Sequence, residues 1–208
     1  MINLYRKHIF PYLLDKVSQK LNVDRQRILP FLAGDVLELG VGTGVNFSFY
    51  SSNIKSLIAI EPDAVLLQRA AKQKAVLAAQ QADKFFLVQG DGHALPLPSN
   101  SVDTVLCCLV LCSIPDPLRA LCEIYRVLKP EGHLVLFEHV KSDDRLTHAF
   151  QQALNPMWRP LACGCCLERD TFQLINQAGF LTDNLLTYRH NALPALVGTM
   201  LEGVATKP

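Results

Sequence analysis

The 208-residue sequence carries little charge of either sign, 20 Lys and Arg against 19 Asp and Glu, and no block in which one sign dominates. It has no basic stripe interleaved with aromatics, so nothing in it matches the footprint of a polyanion-binding surface, and nucleic acid is not expected among its partners. Long apolar runs are missing as well. The longest, Val105 to Ile114, is about half of the roughly 20 residues a helix needs to cross a bilayer core. The C-terminal run is broken by Pro194 and Glu202. At the start, Arg6, Lys7 and His8 precede an apolar patch cut by Pro11, with no uninterrupted h-region and no small-residue cleavage site behind it. The expectation is a chain without a spanning segment or signal peptide, placed in the cytoplasm, with peripheral contact to a membrane surface left open. Repeats and low-complexity tracts are absent.

Half of the residues are apolar, and a folded chain of this length removes roughly 70 % of its unfolded surface from water, enough to fold without disulfide staples. One domain, 1–208, is expected. Seven cysteines is an odd number, and Cys107, Cys108, Cys112 and Cys122 sit in apolar or amphipathic segments, where cysteine behaves as a small buried hydrophobe. A reducing compartment fits. Cys163-Gly164-Cys165-Cys166 has no His or second Cys pair beside it at the usual zinc spacing, so no metal is expected and the role of the cluster stays open.

From Asp35 onward, short apolar runs alternate with amphipathic stretches, the pattern of a parallel sheet covered by helices on both faces. Strands are expected at Asp35–Leu39, Ser56–Ile60, Phe85–Val88, Val102–Leu106 and His133–Glu138, each almost continuously apolar because both sheet faces are buried. Asp63–Ala79 and Asp116–Leu128 read as helices, each opening on an acidic N-cap residue. Ile9, Leu13, Val17 and Leu21 recur every four residues, which predicts an amphipathic helix within an N-terminal arm over 1–30. Between Lys141 and Asp170 the pattern turns irregular, with Pro156, Trp158 and Pro160, and reads as an inserted segment on the substrate side. A helix near Thr171–Ala178 follows, then two strands near Asp183–Tyr188 and Met200–Ala205, antiparallel to each other at the sheet edge. The fold class is α/β: a doubly wound, mostly parallel seven-stranded Rossmann-like sheet with an antiparallel edge strand.

The strongest chemical signal is Val36-Leu37-Glu38-Leu39-Gly40-Val41-Gly42-Thr43-Gly44, a strand running into three glycines at alternate positions. Glycine there permits positive φ and lets a ligand approach the backbone, at the strand ends where doubly wound sheets form their crevice. The dinucleotide pattern needs Gly-x-Gly-x-x-Gly, and Val45 stands in its last place, so a pyrophosphate cradle is disfavoured. Glu38, near the strand end, can face an ammonium but would repel phosphate. Glu61 in Ile60-Glu61-Pro62 follows the second strand at about the spacing where a carboxylate accepts from ribose hydroxyls. Asp91, in Gly90-Asp91-Gly92-His93 after the third strand, can accept from an exocyclic amine. Three carboxylates at three successive strand ends describe a ligand with an ammonium, a ribose and an aminopurine.

With these motifs, with Leu95-Pro96, Ser101-Val102-Asp103 and Val127-Leu128-Lys129-Pro130-Glu131-Gly132, the sequence resembles class I S-adenosylmethionine-dependent methyltransferases from Asp35 to about Val140. The family often has Gly where Glu131 stands. Thr104 to Ile114, Asn46-x-x-x-Tyr50, Glu138-His139-Val140, Gln151-Gln152-x-Leu154-x-Pro156-x-Trp158 and Gly164-Cys165 are further similar to the methyltransferase-like subgroup that includes animal thiol S-methyltransferases. The resemblance implies S-adenosylmethionine as cofactor and S-adenosylhomocysteine as product. It implies that Glu38, Gly40, Val41, Gly42, Gly44 and Asn46 hold the amino-acid half, Glu61 and Pro62 the ribose, and Asp91, Gly92 and His93 the adenine, with Cys108 and Leu109 closing the cofactor site. Relatives in that subgroup carry a hydrophobic N-terminal anchor; this sequence shows none, so membrane attachment is not carried over.

Methyl transfer from a sulfonium is an in-line displacement from an activated donor and asks mainly for alignment and exclusion of water. A thiol acceptor needs no strong base, because an unperturbed pKa near 8.5 leaves a few per cent thiolate at neutral pH. Cys107-Cys108-Leu109-Val110-Leu111 at the fourth strand end offers apolar and sulfur atoms rather than acids or amides, which favours a soft or apolar small-molecule acceptor. His139 is the candidate acid or base, since Glu138 and His139 point to opposite sides and Glu138 can anchor the adjacent loop. Tyr5, Cys112, Gln152 and Trp158 are candidates for the acceptor pocket, with Phe150 and Met157 beside Trp158, and Tyr5 and Arg6 place the arm as a cover over the cofactor. Alternatives are a lipid, quinone or phospholipid head-group methyltransferase, or a cofactor-binding regulatory protein without turnover. Acceptor identity and oligomeric state are not readable from the residues.

Overall fold

The computed structural model describes residues 5, 9–75 and 83–208. In chain order the elements are α1 (Phe10–Gln19), α2 (Asn22–Ile28), β1 (Gly34–Leu39), β2 (Ile54–Glu61), α3 (Ala64–Ala75), β3 (Phe85–Gln89), β4 (Val102–Cys108), α4 (Pro117–Val127), β5 (Leu128–His139), α5 (Arg145–Leu161), α6 (Thr171–Gln177), β6 (Leu181–Arg189) and β7 (Thr199–Thr206). The strands form one seven-stranded sheet in the order β3-β2-β1-β4-β5-β7-β6. β1 pairs in parallel with β2 on one side and β4 on the other, placing Glu38 between Ala59 and Leu106. β7 is antiparallel to both β5 and β6. The antiparallel pair occupies the expected side of the sheet, with β6 outermost and β7 enclosed between it and β5.

Period-two alternation splits the core into two layers. Leu37, Val105, Leu134 and Leu136 pack with Leu121 and Ile124 of α4 and Ile175 of α6. Val36, Leu106, Val135 and Phe137 pack on the other face with Leu21, Ile28 of α2 and Ala70 of α3. Chain reversal around β1 therefore opens the crevice at the carboxyl ends of β1, β2 and β4.

The helix starts follow local chemistry. Asp63 Oδ1 accepts from the amides of Val65 and Leu66 at 2.7 and 3.2 Å, and Asp116 from that of Arg119 at 3.1 Å, satisfying donors a helix leaves open at its first turn. The α3 expectation beyond Ala75, the side chains of Leu13 and Val17, and Arg6 lie outside the described residues. Leu21 is buried and Ile9 exposed, so the four-residue repeat does not make one buried face.

The largest departure is 141–170. Its irregular pattern forms one 17-residue helix, α5, running through Pro156 and Pro160. Asp144 caps it by accepting from Thr147 N at 2.8 Å. Its inner face is polar: Gln151 accepts from Ser142 N at 2.8 Å and donates to Leu196 O at 2.9 Å, and Asn155 accepts from Leu167 N at 3.0 Å. The apolar residues Leu146, Phe150, Met157 and Leu161 point outward instead. This inversion explains why amphipathic reading of the sequence failed there. Among the described residues no helix is long and apolar enough to cross a membrane.

Candidate active site

The crevice at the strand ends holds a cleft of about 300 Å³. One side is acidic, lined by Glu61, Asp63 and Asp91 with His93; the other is apolar, lined by Leu109, Val110, Ile114, Pro115 and Ala162, with Ser113 and Cys163. No lysine or arginine lines it among the described residues.

The glycine turn forms the floor. Gly40 and Gly42 have φ of +71° and +58°, where a side chain is strained. A Cβ at Gly40 would collide with the Val110 side chain, and at Gly42 it would project into open space. Gly44 serves packing instead, because a Cβ there would press on the Phe47 ring and the α3 backbone at Ala70. Glu61 ties the turn to the second strand: one carboxylate oxygen accepts from Gly42 N at 3.0 Å and the other from Asp63 N at 3.0 Å. Each oxygen keeps a lone pair for a hydroxyl donor. Burial raises its pKa, opposed by those two amides.

Glu38 lies beneath the turn, 1 % exposed. Oε1 accepts from Asn46 Nδ2 at 2.6 Å, and Asn46 Oδ1 accepts from Arg25 Nε at 2.7 Å. Arg25, itself buried, is held in turn by Ser18 at the end of α1. Among the described residues Oε2 has no hydrogen-bond partner; the Tyr50 hydroxyl is near enough to steady the carboxylate but makes no well-formed bond to it. Burial pushes Glu38 up to about 7, against Asn46 and the Arg25 charge. A buried, half-satisfied carboxylate beside a turn open to ligand fits a cationic amino group.

Asp91 stands after β3, its Oδ1 accepting from His93 N at 2.8 Å and lying 3.2 Å from His93 Nδ1. His93 Nε2 accepts from Asp116 N at 3.3 Å, which fixes the ring at the start of α4. On the opposite wall Leu109 has φ of +59°, costly for a branched residue and persisting only where the surroundings impose it. They do so through Glu138, fully buried, whose carboxylate accepts from the amides of Val110, Leu111 and Cys112 at 2.7, 3.0 and 3.4 Å. Glu138 is the loop anchor that β-strand alternation suggested.

Of the expected cofactor residues, the structure gathers Gly40, Gly42, Glu61, Pro62, Asp91, Gly92, His93 and Leu109 around the cleft. Glu38, Val41 and Asn46 are buried below it; Asn46 positions Glu38 rather than facing the opening. Cys108 packs with the apolar cluster on the α2 face, and burial pushes its thiol up to about 12. The acceptor-side expectations fare differently. Gln152 is exposed on α5, and Gln151 is the buried neighbour. Phe150 and Met157 face outward, so neither walls a pocket with Trp158. Tyr5 donates to Leu161 O at 2.8 Å, at the end of α5 next to Ala162 and Cys163. His139, Cys112 and Trp158 are not in the cleft lining; His139 Nδ1 lies 3.7 Å from Cys165 Sγ.

Arg25, Asp15 and Thr43 were not legible as site residues. Asp15 of α1 accepts from Thr43 Oγ1 of the glycine turn at 2.7 Å and faces Arg69 of α3 at 3.7 Å, so the arm is seated on the turn itself. α2 turns Arg25 inward while Val23, Gln26 and Arg27 stay exposed, so the fold and not the sequence separates the buried arginine from the solvated one.

A methyltransferase-domain family model matches residues 37–136, the segment from β1 into β5. Human thiol S-methyltransferase TMT1B is 32 % identical over 187 residues, covering 84 % of this chain and 76 % of that protein. The rat TMT1B is 37 % identical over 147 residues, 70 % of this chain and 59 % of the relative's length. Among solved structures, the methyltransferase-fold chain crystallised with the Haloferax volcanii Trm112 activator superposes with a TM-score of 0.71 at 18 % identity, over 100 % of this chain and 97 % of that one.

Proposed function

The chain belongs to the S-adenosylmethionine-dependent methyltransferases, and from that premise we propose that its acceptor is a small apolar thiol. S-adenosylmethionine supplies an electrophilic methyl group on a sulfonium. In this reading Glu38 receives the donor's ammonium, Glu61 its ribose hydroxyls, and Asp91, Gly92 and His93 its adenine edge. Gly42 lets the chain approach it without a Cβ between, while Gly40 leaves room for the Val110 side chain.

The observation that carries the acceptor class is the division of the cleft. Its acids lie on the β2 and β3 side, while the wall from Leu109 to Pro115, with Ala162, offers carbon atoms, the Ser113 hydroxyl and Cys163. A wall without a carboxylate or imidazole suits a nucleophile that ionises by itself, and a thiol does so to a few per cent at neutral pH. An amine or alcohol would ask for a positioned base. His139, the acid–base candidate, is turned to Cys165. The outward apolar stripe on α5 favours a second reading, a lipid head-group acceptor presented at a membrane surface.

Incubation with methyl-labelled S-adenosylmethionine and a panel of alkyl and aryl thiols, small amines, and phospholipid vesicles separates these readings. S-methyl products from the soluble thiols, with turnover rising as pH approaches the thiol pKa, are expected. Product confined to the vesicles selects the lipid reading, and cofactor binding with no product in any arm rejects both.

A further inference from the structure

Behind the apolar wall, three sulfur and nitrogen donors from distant parts of the sequence meet. Cys112 comes from the loop after β4, His139 from the last position of β5, and Cys165 from the turn after α5; their ligating atoms all lie within 4.8 Å of one another. Sequence spacing concealed this set, since no two of the three are neighbours along the chain.

Cys112 and His139 are 3 % and 4 % exposed, and Cys165 is partly covered. Among the described residues His139 Nε2 is buried with no hydrogen-bond partner, as is the indole N–H of Trp158 nearby, and Nδ1 has only the Cys165 sulfur at 3.7 Å. A buried imidazole left this poorly satisfied is uncommon in a folded protein.

The backbone is shaped to deliver the donors. Glu138 grips the amide of Cys112, and Cys166 N donates to Cys112 O at 2.8 Å. The turn carrying Cys165 adopts φ of +50° at Cys163 and +104° at Gly164, and a Cβ at Gly164 would sit 2.9 Å from Ser113 O. Strain at a non-glycine residue beside a close backbone approach marks an arrangement the fold over-determines.

We propose that Cys112, His139 and Cys165 form a three-ligand Zn²⁺ site. Zinc takes thiolate sulfur at about 2.3 Å and imidazole nitrogen at about 2.0–2.1 Å in tetrahedral geometry, which sets donor–donor edges of roughly 3.5–3.8 Å. The Cys165–His139 separation already matches, and small side-chain rotations close the third corner. Two sulfurs and one imidazole are the donor set zinc favours over hard cations. Three protein ligands leave a fourth position for an exogenous ligand. The assignment gives His139 a ligand's role in place of the acid–base role its strand-end position suggested. It does not depend on which acceptor is methylated.

The test uses the full chain, purified under reducing conditions and loaded with Zn²⁺, then with Co²⁺ as a spectroscopic substitute. About one Zn²⁺ per chain retained through gel filtration is expected, with a near-ultraviolet thiolate-to-cobalt band and the visible bands of tetrahedral Co²⁺. Cys112→Ser, Cys165→Ser and His139→Ala should each weaken zinc binding about 100-fold or more, since even outer-shell partners are worth 10–100-fold. Cys122→Ser, an exposed thiol, should bind as the parent does. Less than about a tenth of an equivalent with no cobalt–thiolate band overturns the assignment, as does unchanged zinc affinity in folded Cys variants. Stoichiometry and spectrum of the parent chain decide the matter even where a variant fails to fold.

Discussion

Replacing Glu61 with Ala is expected to weaken S-adenosylmethionine binding by about 10²- to 10⁴-fold, measured by titration calorimetry, while the chain stays folded. The carboxylate accepts from Gly42 N and Asp63 N at 3.0 Å each, and so joins the glycine turn to the end of β2. Hydrogen bonds to charged groups contribute roughly 1.5–3 kcal/mol each. Ribose hydroxyls engaging the same group would be lost together with the turn that faces the donor, and two such bonds amount to about 3–6 kcal/mol, or two to four powers of ten in affinity. Glu61→Gln should lose less, because its amide oxygen replaces one acceptor and its NH₂ opposes one backbone N–H. A Glu61→Ala chain that binds the cofactor within threefold of the parent would remove Glu61 from the ribose site.

Cofactor affinity should rise about tenfold per pH unit from pH 5.5 to 7 and then level off, and Glu38→Gln should abolish that slope. Glu38 titrates at about 7 because burial disfavours its charge. The groups that face it are Arg25 from α2, Asn46 and Tyr50 after the glycine turn, and Glu61 from β2; Cys108 on β4, held near 12, stays neutral throughout. Below pH 7 the carboxyl is protonated in the free protein and has to ionise before it can receive an ammonium, so each unit of acidity costs about 1.4 kcal/mol of binding. The sign for folding is opposite. A carboxyl whose pKa is raised on folding contributes its full stability below about pH 4.5 and loses it as pH climbs through 7, so the cofactor-free chain should melt lower at pH 8 than at pH 5.5 on account of this residue. A donor amino group losing its own proton near 7.7–8.0 would bend both curves equally. A pH-independent affinity in the parent would remove Glu38 from the ammonium site.

Much of the fold was legible because its strands are buried on both faces and read as apolar runs. β1, β3 and β4 begin within a residue of their expected starts, and the cap Asp116 announces α4. β5 begins at Leu128 rather than His133 because Leu128 pairs with Val102 ahead of a register shift, an edge contact that hydropathy cannot register. α5 was concealed by its reversed amphipathicity: Gln151 and Asn155 serve the loops beneath, and apolar residues look outward.

The acidic side of the cleft was legible for a related reason. Glu38 and Glu61 stand at the carboxyl ends of β1 and β2, and Asp91 just after β3, so topology alone brings them to the same end of the sheet. Asn46 was placed nearby but not in its role, because the bridge from Arg25 to Glu38 exists only once α2 folds onto β1. On the acceptor side, Gln152 is exposed on α5, and its neighbour Gln151, about 100° around the helix, is buried against the loops beneath and does not line the cleft. Cys112, His139 and Cys165 converge from three loops, an arrangement no linear spacing encodes.

Titration calorimetry of the purified chain with S-adenosylmethionine, S-adenosylhomocysteine and NAD tests most directly the claim that acids at consecutive strand ends form a seat for a cationic sulfur nucleoside. One equivalent of each sulfur nucleoside should bind, with no detectable heat from NAD. Binding of NAD with no response to either sulfur nucleoside would contradict the account.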